Sequence, residues 1–346
     1  MKAVTFRGER DVRVEDKDKP QILEPTDAIL RVTTSAICGT DLHFYKGQEL
    51  GVVAGTTLGH EFVGVVDEVG AAVRNLRTGD RAVASMYTAC GACQACSRQD
   101  YPNCPHWAMF GCGAAFGDVE GGQAEYVRVP LGDMTLAPIP ASLTDEDVVL
   151  TTDILPTAYT AMVKSGVRQG DTVAVVGAGP VGQLAVMCAR LFGASKVMAI
   201  DLVADRLKEA EALGAIPINA AEVDPADAVF DLTGNLGADV VVEAVGVQGS
   251  VDTCWAVAKK GGIVTMIGLL VEEAWPTSCG DNWLRQIQVR PVIGEPIKHR
   301  WDLFRLIEAK RLNPAGIISH TMPLDDAVEA YRMFDAREAT KIILKP

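Results

Sequence analysis

Four cysteines lie within a stretch of fifteen residues, at Cys90, Cys93, Cys96 and Cys104. Zinc binds four thiolates tetrahedrally at about 2.3 Å, and these short spacings let one ion hold all four sulfurs without long loop closures. Disulfide bonds are the alternative, but nothing else in the sequence resembles a secreted chain. The spacing therefore predicts a zinc site with four protein ligands. Such a site has no open position for a substrate, so we expect it to be structural.

The charge of the chain limits its partners. Its 346 residues carry a formal net charge of −13, which would repel nucleic acids and anionic membrane surfaces. The first fifteen residues alternate apolar and charged side chains and contain no apolar stretch of signal-peptide length. We therefore expect a cytoplasmic protein whose partner is a small molecule, with no nucleic acid and no membrane. The length favours about two domains.

Two kinds of sequence pattern divide the chain. Before residue 150, short alternating runs separated by Gly, Pro and Asp turns predict a β-rich unit. These runs are residues 3–6, 28–32, 64–70, 81–84 and 125–129. From Asp171, strand and helix patterns repeat about every thirty residues, which is typical of a parallel sheet with crossover helices. The predicted domains are residues 1–155 with 295–346, and residues 156–294.

A glycine-rich motif follows the apolar strand predicted at residues 173–176. The motif consists of Gly177, Gly179, Pro180, Val181 and Gly182. Its first glycine allows a tight turn, its second lets the backbone approach a pyrophosphate, and its third lets the following helix pack closely on the strand. The helix N-terminus then offers N–H groups to the phosphates. The motif predicts a dinucleotide site.

An acidic residue at the end of the next predicted strand indicates which dinucleotide binds. Asp201 stands nineteen residues after Gly182, where a carboxylate accepts both hydroxyls of a ribose. A carboxylate there repels a 2′-phosphate, so NAD is favoured over NADP, although Arg206 nearby allows some tolerance. The alternative is a surface aspartate in a loop.

Two further metal-ligating side chains lie at the edges of predicted strands. Cys38 follows the strand at residues 28–32, and His60 precedes the strand at residues 64–70. A lone cysteine or histidine is usually a core residue. Together they supply two ligands of a kind that zinc prefers, and a carboxylate would complete an open three-ligand site.

At these motifs the sequence resembles the zinc-dependent medium-chain alcohol dehydrogenases, and the resemblance covers the whole chain. It rests on five motifs in the right order. They are Cys38-Gly-Thr40-Asp41-x-His43, Gly59-His60-Glu61 with Gly64, the four-cysteine loop, Gly121-Gly122 before Glu125-Tyr126, and the glycine-rich motif. The resemblance implies an α/β protein in which a GroES-like β-rich catalytic domain accompanies a Rossmann domain, a doubly wound parallel sheet that binds the cofactor.

The resemblance also implies roles for individual residues. Cys38 and His60 would bind the catalytic zinc, with Glu61 adjacent and able to replace the water on the metal. Thr40 would contact the substrate oxygen, and His43 would pass the proton to solvent. The third ligand varies within the family between cysteine, glutamate and aspartate, and Asp153 matches its position.

Further residues have weaker assignments. Asp41 matches a carboxylate that orients the ligand histidine, with a turn aspartate as the alternative. Lys341 resembles a basic residue that reaches the cofactor pyrophosphate, with a solvated surface lysine as the alternative. We expect the substrate pocket to be lined from residues 44–58, 107–116 and 269–283. The resemblance also implies a homodimer or homotetramer that forms through the edge of the cofactor sheet near residues 289–293.

The predicted function is that of a zinc-dependent, NAD-linked oxidoreductase that interconverts an alcohol and its aldehyde or ketone. It would hold two zinc ions per chain, one catalytic and one structural. Alternatives are a polyol or threonine dehydrogenase of the same family, or a dinucleotide-binding protein without catalysis. A zinc-free quinone or enoyl reductase would have no use for Cys38, His60, Asp153 and the four-cysteine loop.

Overall fold

The computed structural model describes residues 1–48, 51–270, 274 and 276–346. Parts of the predicted pocket lining, residues 49–50, 271–273 and 275, therefore lie outside the described residues. The chain divides into two compact units, Met1–Asp153 with Glu295–Pro346 and Ile154–Gly294. The sequence placed the first boundary two residues later, between 155 and 156. Among the residues described, no helix combines the length and the apolar character needed to cross a membrane.

The strands and helices follow in chain order. The strands are β1 (Lys2–Gly8), β2 (Asp11–Asp16), β3 (Ala28–Ala36), β4 (Glu61–Val69), β5 (Arg81–Ala84), β6 (Tyr126–Val129), β7 (Leu136–Pro138), β8 (Thr172–Val176), β9 (Lys196–Asp201), β10 (Ile216–Asn219), β11 (Ala238–Glu243), β12 (Ala258–Met266), β13 (Gln288–Pro291), β14 (His320–Pro323) and β15 (Ile342–Lys345). The α-helices are α1 (Gly39–Tyr45), α2 (Gln94–Ser97), α3 (Gly132–Thr135), α4 (Asp145–Val148), α5 (Ile154–Ser165), α6 (Pro180–Leu191), α7 (Ala204–Ala212), α8 (Pro225–Leu232), α9 (Gln248–Val257), α10 (Cys279–Arg285), α11 (Pro296–Glu308) and α12 (Ala327–Asp335).

The first unit is β-rich, as the alternating runs predicted. Its main sheet has the order β14-β15-β3-β4-β5-β7, with β6 also paired to β3, while β1 and β2 form a separate antiparallel pair. The pairing is antiparallel except between β14 and β15, which are parallel. The last fifty residues therefore rejoin this unit through β15. The sequence analysis missed β2, β7 and β14, which are only six, three and four residues long.

The pairing of β3 with β4 places two of the metal-ligating residues side by side. In their antiparallel register, Ala36 lies opposite Glu61. Cys38 comes two residues after Ala36, and His60 comes one residue before Glu61. The chain therefore leaves β3 and enters β4 at the same end of the pair, which brings Cys38 and His60 together.

The second unit contains the parallel sheet predicted from the strand and helix rhythm. Its strand order is β10-β9-β8-β11-β12-β13, and every neighbouring pair is parallel. The central strand β8 is buried because β9 and β11 flank it and helices cover the sheet. The chain runs from β8 outward to β10 and then returns to start again at β11. This reversal is the doubly wound arrangement of a dinucleotide-binding domain, which confirms the predicted fold class.

Candidate zinc and dinucleotide sites

The four cysteines of the segment between β5 and β6, which contains α2, converge on one point. The sulfur of Cys90 lies 4.0 Å from that of Cys96, and the sulfur of Cys93 lies 3.9 Å from that of Cys104. All four sulfurs lie within 4.8 Å of one another. Tetrahedral zinc with bonds of about 2.3 Å needs sulfurs roughly 3.8 Å apart, so the cluster fits one ion.

Backbone N–H groups surround these sulfurs and favour thiolates. Cys104 accepts hydrogen bonds from the N–H groups of Cys90 and His106, at 3.3 and 3.4 Å. The N–H of Ala92 lowers the pKa of Cys90 to about 6, although burial opposes this shift. Burial raises the pKa of Cys96 to about 12, so a cation is needed to keep that sulfur ionised. The donor set is therefore suited to a metal ion rather than to free thiols.

A second cluster joins three distant segments of the first unit. The Sγ of Cys38, a ring nitrogen of His60 and a carboxylate oxygen of Asp153 lie within 4.8 Å of one another. Asp153 Oδ2 is 3.3 Å from Cys38 Sγ and 3.2 Å from His60 Nε2. Cys38 precedes α1, His60 precedes β4, and Asp153 precedes α5. All three side chains are buried.

The chemistry of this second cluster fits zinc. His60 Nε2 is inaccessible to solvent and has no hydrogen-bond partner among the described residues, although it faces Asp153. An orphaned buried nitrogen is costly unless something else satisfies it. Burial and the charge of Asp153 raise the pKa of Cys38 to about 11, so its thiolate requires a nearby cation. A zinc ion would satisfy the nitrogen and the sulfur together.

Asp41 lies on the other side of the His60 ring. Its Oδ1 lies 3.6 Å from His60 Nδ1, and its Oδ2 accepts the backbone N–H of Cys38 at 2.9 Å. The carboxylate is fully buried, and burial raises its pKa while the charge of His60 opposes that shift. Asp41 thus contacts the backbone of one candidate ligand and the ring of another. A turn aspartate would explain the bond between Asp41 and the backbone of Cys38 but not its position beside the His60 ring.

Three buried residues near His60 were missed by the sequence analysis. Gln123 donates to Asp41 Oδ2 at 3.1 Å, and Tyr331 donates to the amide oxygen of Gln123 at 2.8 Å. The sulfur of Cys112 lies 4.0 Å from His60 Nδ1. One indication of this contact was present in the sequence: Tyr331 lies on the apolar face of α12, and the hydroxyl of a buried tyrosine needs a hydrogen-bond partner. No local pattern identifies that partner as Gln123.

Lys341 lies in the same unit, beside the candidate catalytic cluster. Its Nζ donates to Glu61 Oε2 at 2.5 Å and to the carbonyl of Ile37 at 2.9 Å. The side chain is only 1% exposed, so the alternative of a solvated surface lysine is wrong. Its contact with a cofactor pyrophosphate stays a prediction.

Thr40 and His43 share one face of α1 because His43 is three positions after Thr40. Thr40 Oγ1 lies 3.8 Å from Cys38 Sγ. His43 is half-buried, and its Nδ1 bonds to the amide oxygen of Gln48, which leaves the lone pair on Nε2. Burial lowers the pKa of His43; the bond to Gln48 opposes this shift and the charge of Lys46 adds to it. The imidazole is therefore neutral at physiological pH.

The glycine-rich motif forms the turn between β8 and α6. Gly177 has a φ of 98°, a conformation that favours glycine. A Cβ atom at Gly182 would lie 1.8 Å from the carbonyl oxygen of Gly177, so the helix approaches the turn too closely for a side chain. Gly179 is the N-cap of α6, and Pro180 and Val181 begin the helix. The turn thus directs the N-terminus of α6 at whatever binds there.

Asp201 contacts this turn directly. Its Oδ2 accepts the backbone N–H of Ala178 at 2.7 Å, and its Oδ1 accepts that of Val203 at 2.9 Å. Each carboxylate oxygen has a second lone pair, so the residue can still accept from a ribose. Arg206 also lies near the turn, since a Cβ atom at Gly179 would be 3.8 Å from its Nη1. A carboxylate and a guanidinium are therefore both close to the same turn.

Comparisons with known proteins agree with this geometry. Two family models match the chain, the alcohol dehydrogenase GroES-like domain over residues 24–141 and the zinc-binding dehydrogenase over residues 180–308. The chain is 36% identical to an alcohol dehydrogenase of Cupriavidus necator over 363 residues, which cover 100% of this chain and 99% of that one.

Two solved structures resemble it over their whole lengths. Alcohol dehydrogenase TADH from Thermus sp. ATN1 has a TM-score of 0.95 and 38% identity, with 100% of this chain and 99% of that chain covered. A zinc-binding dehydrogenase from Sinorhizobium meliloti 1021, solved with NADP bound, has a TM-score of 0.88 and 30% identity, with 100% and 99% covered. Since the matched ranges contain Cys38, His60, the four-cysteine loop and Asp201, family and geometry point the same way: the chain belongs to the zinc-dependent medium-chain alcohol dehydrogenases, oxidoreductases of alcohols.

Proposed function

We propose that this protein is a zinc-dependent, NAD-linked dehydrogenase that interconverts an alcohol and its aldehyde or ketone by hydride transfer. The observation that carries the proposal is the convergence of Cys38, His60 and Asp153 in one buried cluster. Three protein ligands leave one tetrahedral position for a substrate oxygen, whereas the four-cysteine cluster leaves none. Zinc bound at the three-ligand cluster would supply the Lewis acidity that lowers the pKa of an alcohol.

In this proposal, two side chains of α1 transfer the alcohol proton towards solvent. Thr40 lies beside the ligand cluster, and its hydroxyl can accept a proton while donating its own. His43 follows one helical turn later and is neutral at physiological pH, so its Nε2 can take a proton towards solvent. Glu61, which follows His60 in the chain, is paired with Lys341. The resemblance implies that Glu61 can replace the water on the metal, and this role remains an expectation.

The preference for NAD rests on the residues that flank the glycine-rich turn. Asp201 accepts the N–H of Ala178 in the turn and that of Val203 after β9, and its negative charge would face an adenosine ribose bound there. A 2′-phosphate placed there would be repelled. Arg206, close to Gly179, supplies an opposing positive charge that would allow limited use of NADP.

Apolar side chains support an alcohol with a hydrophobic or aromatic group over a polyol. In the described part of the predicted lining, the Trp107 ring lies 6.2 Å from the Phe116 ring, with Met109 and Val52 packed nearby. These residues offer few hydrogen-bond partners for the several hydroxyls of a sugar alcohol. A polyol or threonine dehydrogenase is therefore the second choice.

The test is NAD reduction with a panel of primary, secondary, aromatic and polyol substrates, after loading with zinc. We expect turnover, highest for aromatic or other apolar alcohols, and its loss in Asp153→Ala. If a fully zinc-loaded protein turned over no alcohol with NAD or NADP, the assignment of an active dehydrogenase would be wrong. If it strongly favoured polyols, only the substrate class would change.

We also propose a homodimer or homotetramer built through β13. This strand ends the sheet order in the described part of the second unit, and Val289 and Ile293 are 39% and 52% exposed. An unpaired edge with apolar residues is a pairing site for a second strand. Light scattering of wild type and Val289→Lys tests this proposal, and a monomeric wild type would refute it.

A further inference from the structure

A chain of buried polar side chains extends from the candidate ligand His60 to the C-terminal helix α12. Asp41 lies next to the His60 ring, Gln123 bonds to Asp41, and Tyr331 of α12 bonds to Gln123. Asp41, Gln123 and Tyr331 all have 0% exposure. Bulk solvent does not reach these groups, and each has a hydrogen bond or a close contact with the next.

The chemistry of the partners sets the direction of each hydrogen bond. The Nε2 of Gln123 faces two acceptors, the carbonyl of Ala36 at 3.2 Å and Asp41 Oδ2 at 3.1 Å. Because neither acceptor can donate, the NH₂ end of the amide must point towards them. The amide oxygen then faces Tyr331, whose hydroxyl must donate. The opposite orientation of the amide would leave the carboxylate against an oxygen.

The residues that precede His60 pack closely against Gln123. Gly59 has a φ of 97°, and a Cβ atom there would lie 2.4 Å from Cγ of Gln123. The backbone N–H of Gln123 also donates to the carbonyl of Leu58 at 2.9 Å. Gln123 is therefore packed directly against the two residues that precede the ligand histidine.

We propose that Gln123 and Tyr331 are positioning residues for His60, acting through Asp41. The bonds from Cys38 N–H and Gln123 Nε2 both end on Asp41 Oδ2, which turns Oδ1 towards His60 Nδ1. At 3.6 Å this contact is longer than a hydrogen bond, so the fixed carboxylate acts on the ring through its negative charge and its packing, with Nε2 facing Cys38 and Asp153. Groups that orient a ligand histidine typically change metal affinity 10–100-fold when they are lost. The inference rests on the zinc site proposed above.

The test compares Tyr331→Phe and Gln123→Met with wild type. The readouts are the dissociation constant of the three-ligand zinc from chelator competition, its release rate, and the visible spectrum of the cobalt-substituted protein. We expect Gln123→Met to weaken zinc binding about tenfold or more and Tyr331→Phe several-fold. The matched control is Tyr87→Phe, since Tyr87 is equally buried but its hydroxyl has no hydrogen-bond partner among the described residues. It should leave the three-ligand zinc unchanged.

A double variant separates positioning from general stability. If Tyr331 acts through Gln123, the variant carrying both changes should match Gln123→Met alone in zinc affinity. Additive losses of zinc affinity in the double variant would overturn the inference. It would also be overturned if Tyr331→Phe had a lower melting temperature than wild type but the same zinc affinity and the same cobalt spectrum. Tyr331→Phe keeps the shape of the core, so its zinc affinity and cobalt spectrum still test the inference if Gln123→Met does not fold. A wild type that binds zinc only at the four cysteines would instead refute the proposed function.

Discussion

The ammonium of Lys341 lies 2.5 Å from Oε2 of Glu61, and the two side chains are only 1% and 0% exposed. The pair joins the residue before β15 to the first residue of β4, next to the candidate ligand His60. Two charges this deeply buried persist because each compensates the other. The last strand of the chain is thereby tied to the zinc cluster.

Removing one member of this pair should destabilise the fold. In Lys341→Met the carboxylate of Glu61 would remain buried without a counter-charge, and we expect the free energy of unfolding to fall by about 3–5 kcal/mol. Urea denaturation measures the change. The control, Glu61→Gln with Lys341→Met, removes both charges and should recover much of the loss. A single variant as stable as wild type would show that the pair has no such role.

The two zinc clusters should differ in lability. The three-ligand cluster has an open position, whereas four sulfurs enclose the other ion, so mild chelation should remove the first zinc and leave the second. Zinc analysis alongside circular dichroism should show one equivalent lost, activity abolished and the fold intact. Full activity with a single zinc equivalent would contradict the assignment of two sites.

Asp153→Asn should lower zinc occupancy at the three-ligand cluster. The amide keeps the shape of the side chain but loses the charge that balances the metal, so turnover should fall with zinc content. The four-cysteine zinc serves as the internal control and should stay bound. Asp153→Cys, which supplies a thiolate instead, should retain zinc. Two tightly held ions and normal turnover in Asp153→Asn would show that Asp153 is not a ligand.

His43→Gln should keep both zinc ions and change the pH profile of alcohol oxidation. Burial holds the pKa of His43 below its ordinary value, so the imidazole of wild type accepts protons at neutral and mildly acidic pH. The deficit of the variant should be greatest below about pH 7, where solvent base is scarce, and shrink as pH rises. A small buffer base should restore part of the rate.

The control for this variant is His320→Gln in β14, a half-buried histidine outside the ligand cluster, which should leave the profile unchanged. Loss of zinc in His43→Gln would make His43 a ligand rather than a proton acceptor.

Asp201→Gly should reduce or reverse the preference for NAD. Removing the carboxylate takes away both the ribose acceptor and the repulsion of a 2′-phosphate, which together account for about tenfold or more in discrimination. The measurement is kcat/KM for NAD and NADP. Asp205→Gly, a change of an exposed carboxylate nearby, is the matched control, and Arg206→Ala should remove residual use of NADP. A wild type that favours NADP would refute the assignment.

The sequence by itself determined the parts whose geometry is local. The four cysteines lie within fifteen residues, so a short loop brings them together whatever the rest of the fold does. The glycine-rich turn is equally local, since strand, turn and helix are consecutive. The strand and helix rhythm also predicted the parallel sheet, because a crossover between parallel strands requires a helix of that length.

The tertiary structure decided what meets around His60. Asp153 reaches Cys38 across 115 residues of chain, Lys341 reaches Glu61 across 280, and Tyr331 reaches Gln123 across 208. The sequence suggested Asp153 only through the family resemblance. It left Lys341 as either a contact of the cofactor pyrophosphate or a solvated surface lysine, and it did not indicate Gln123. The physical reason is that a buried polar group must find a partner, but nothing in its immediate sequence specifies which one. The pairing of β3 with β4 and β15 places Cys38, Glu61 and Lys341 together at the ends of these strands, whereas Asp153, Gln123 and Tyr331 reach the cluster from outside them.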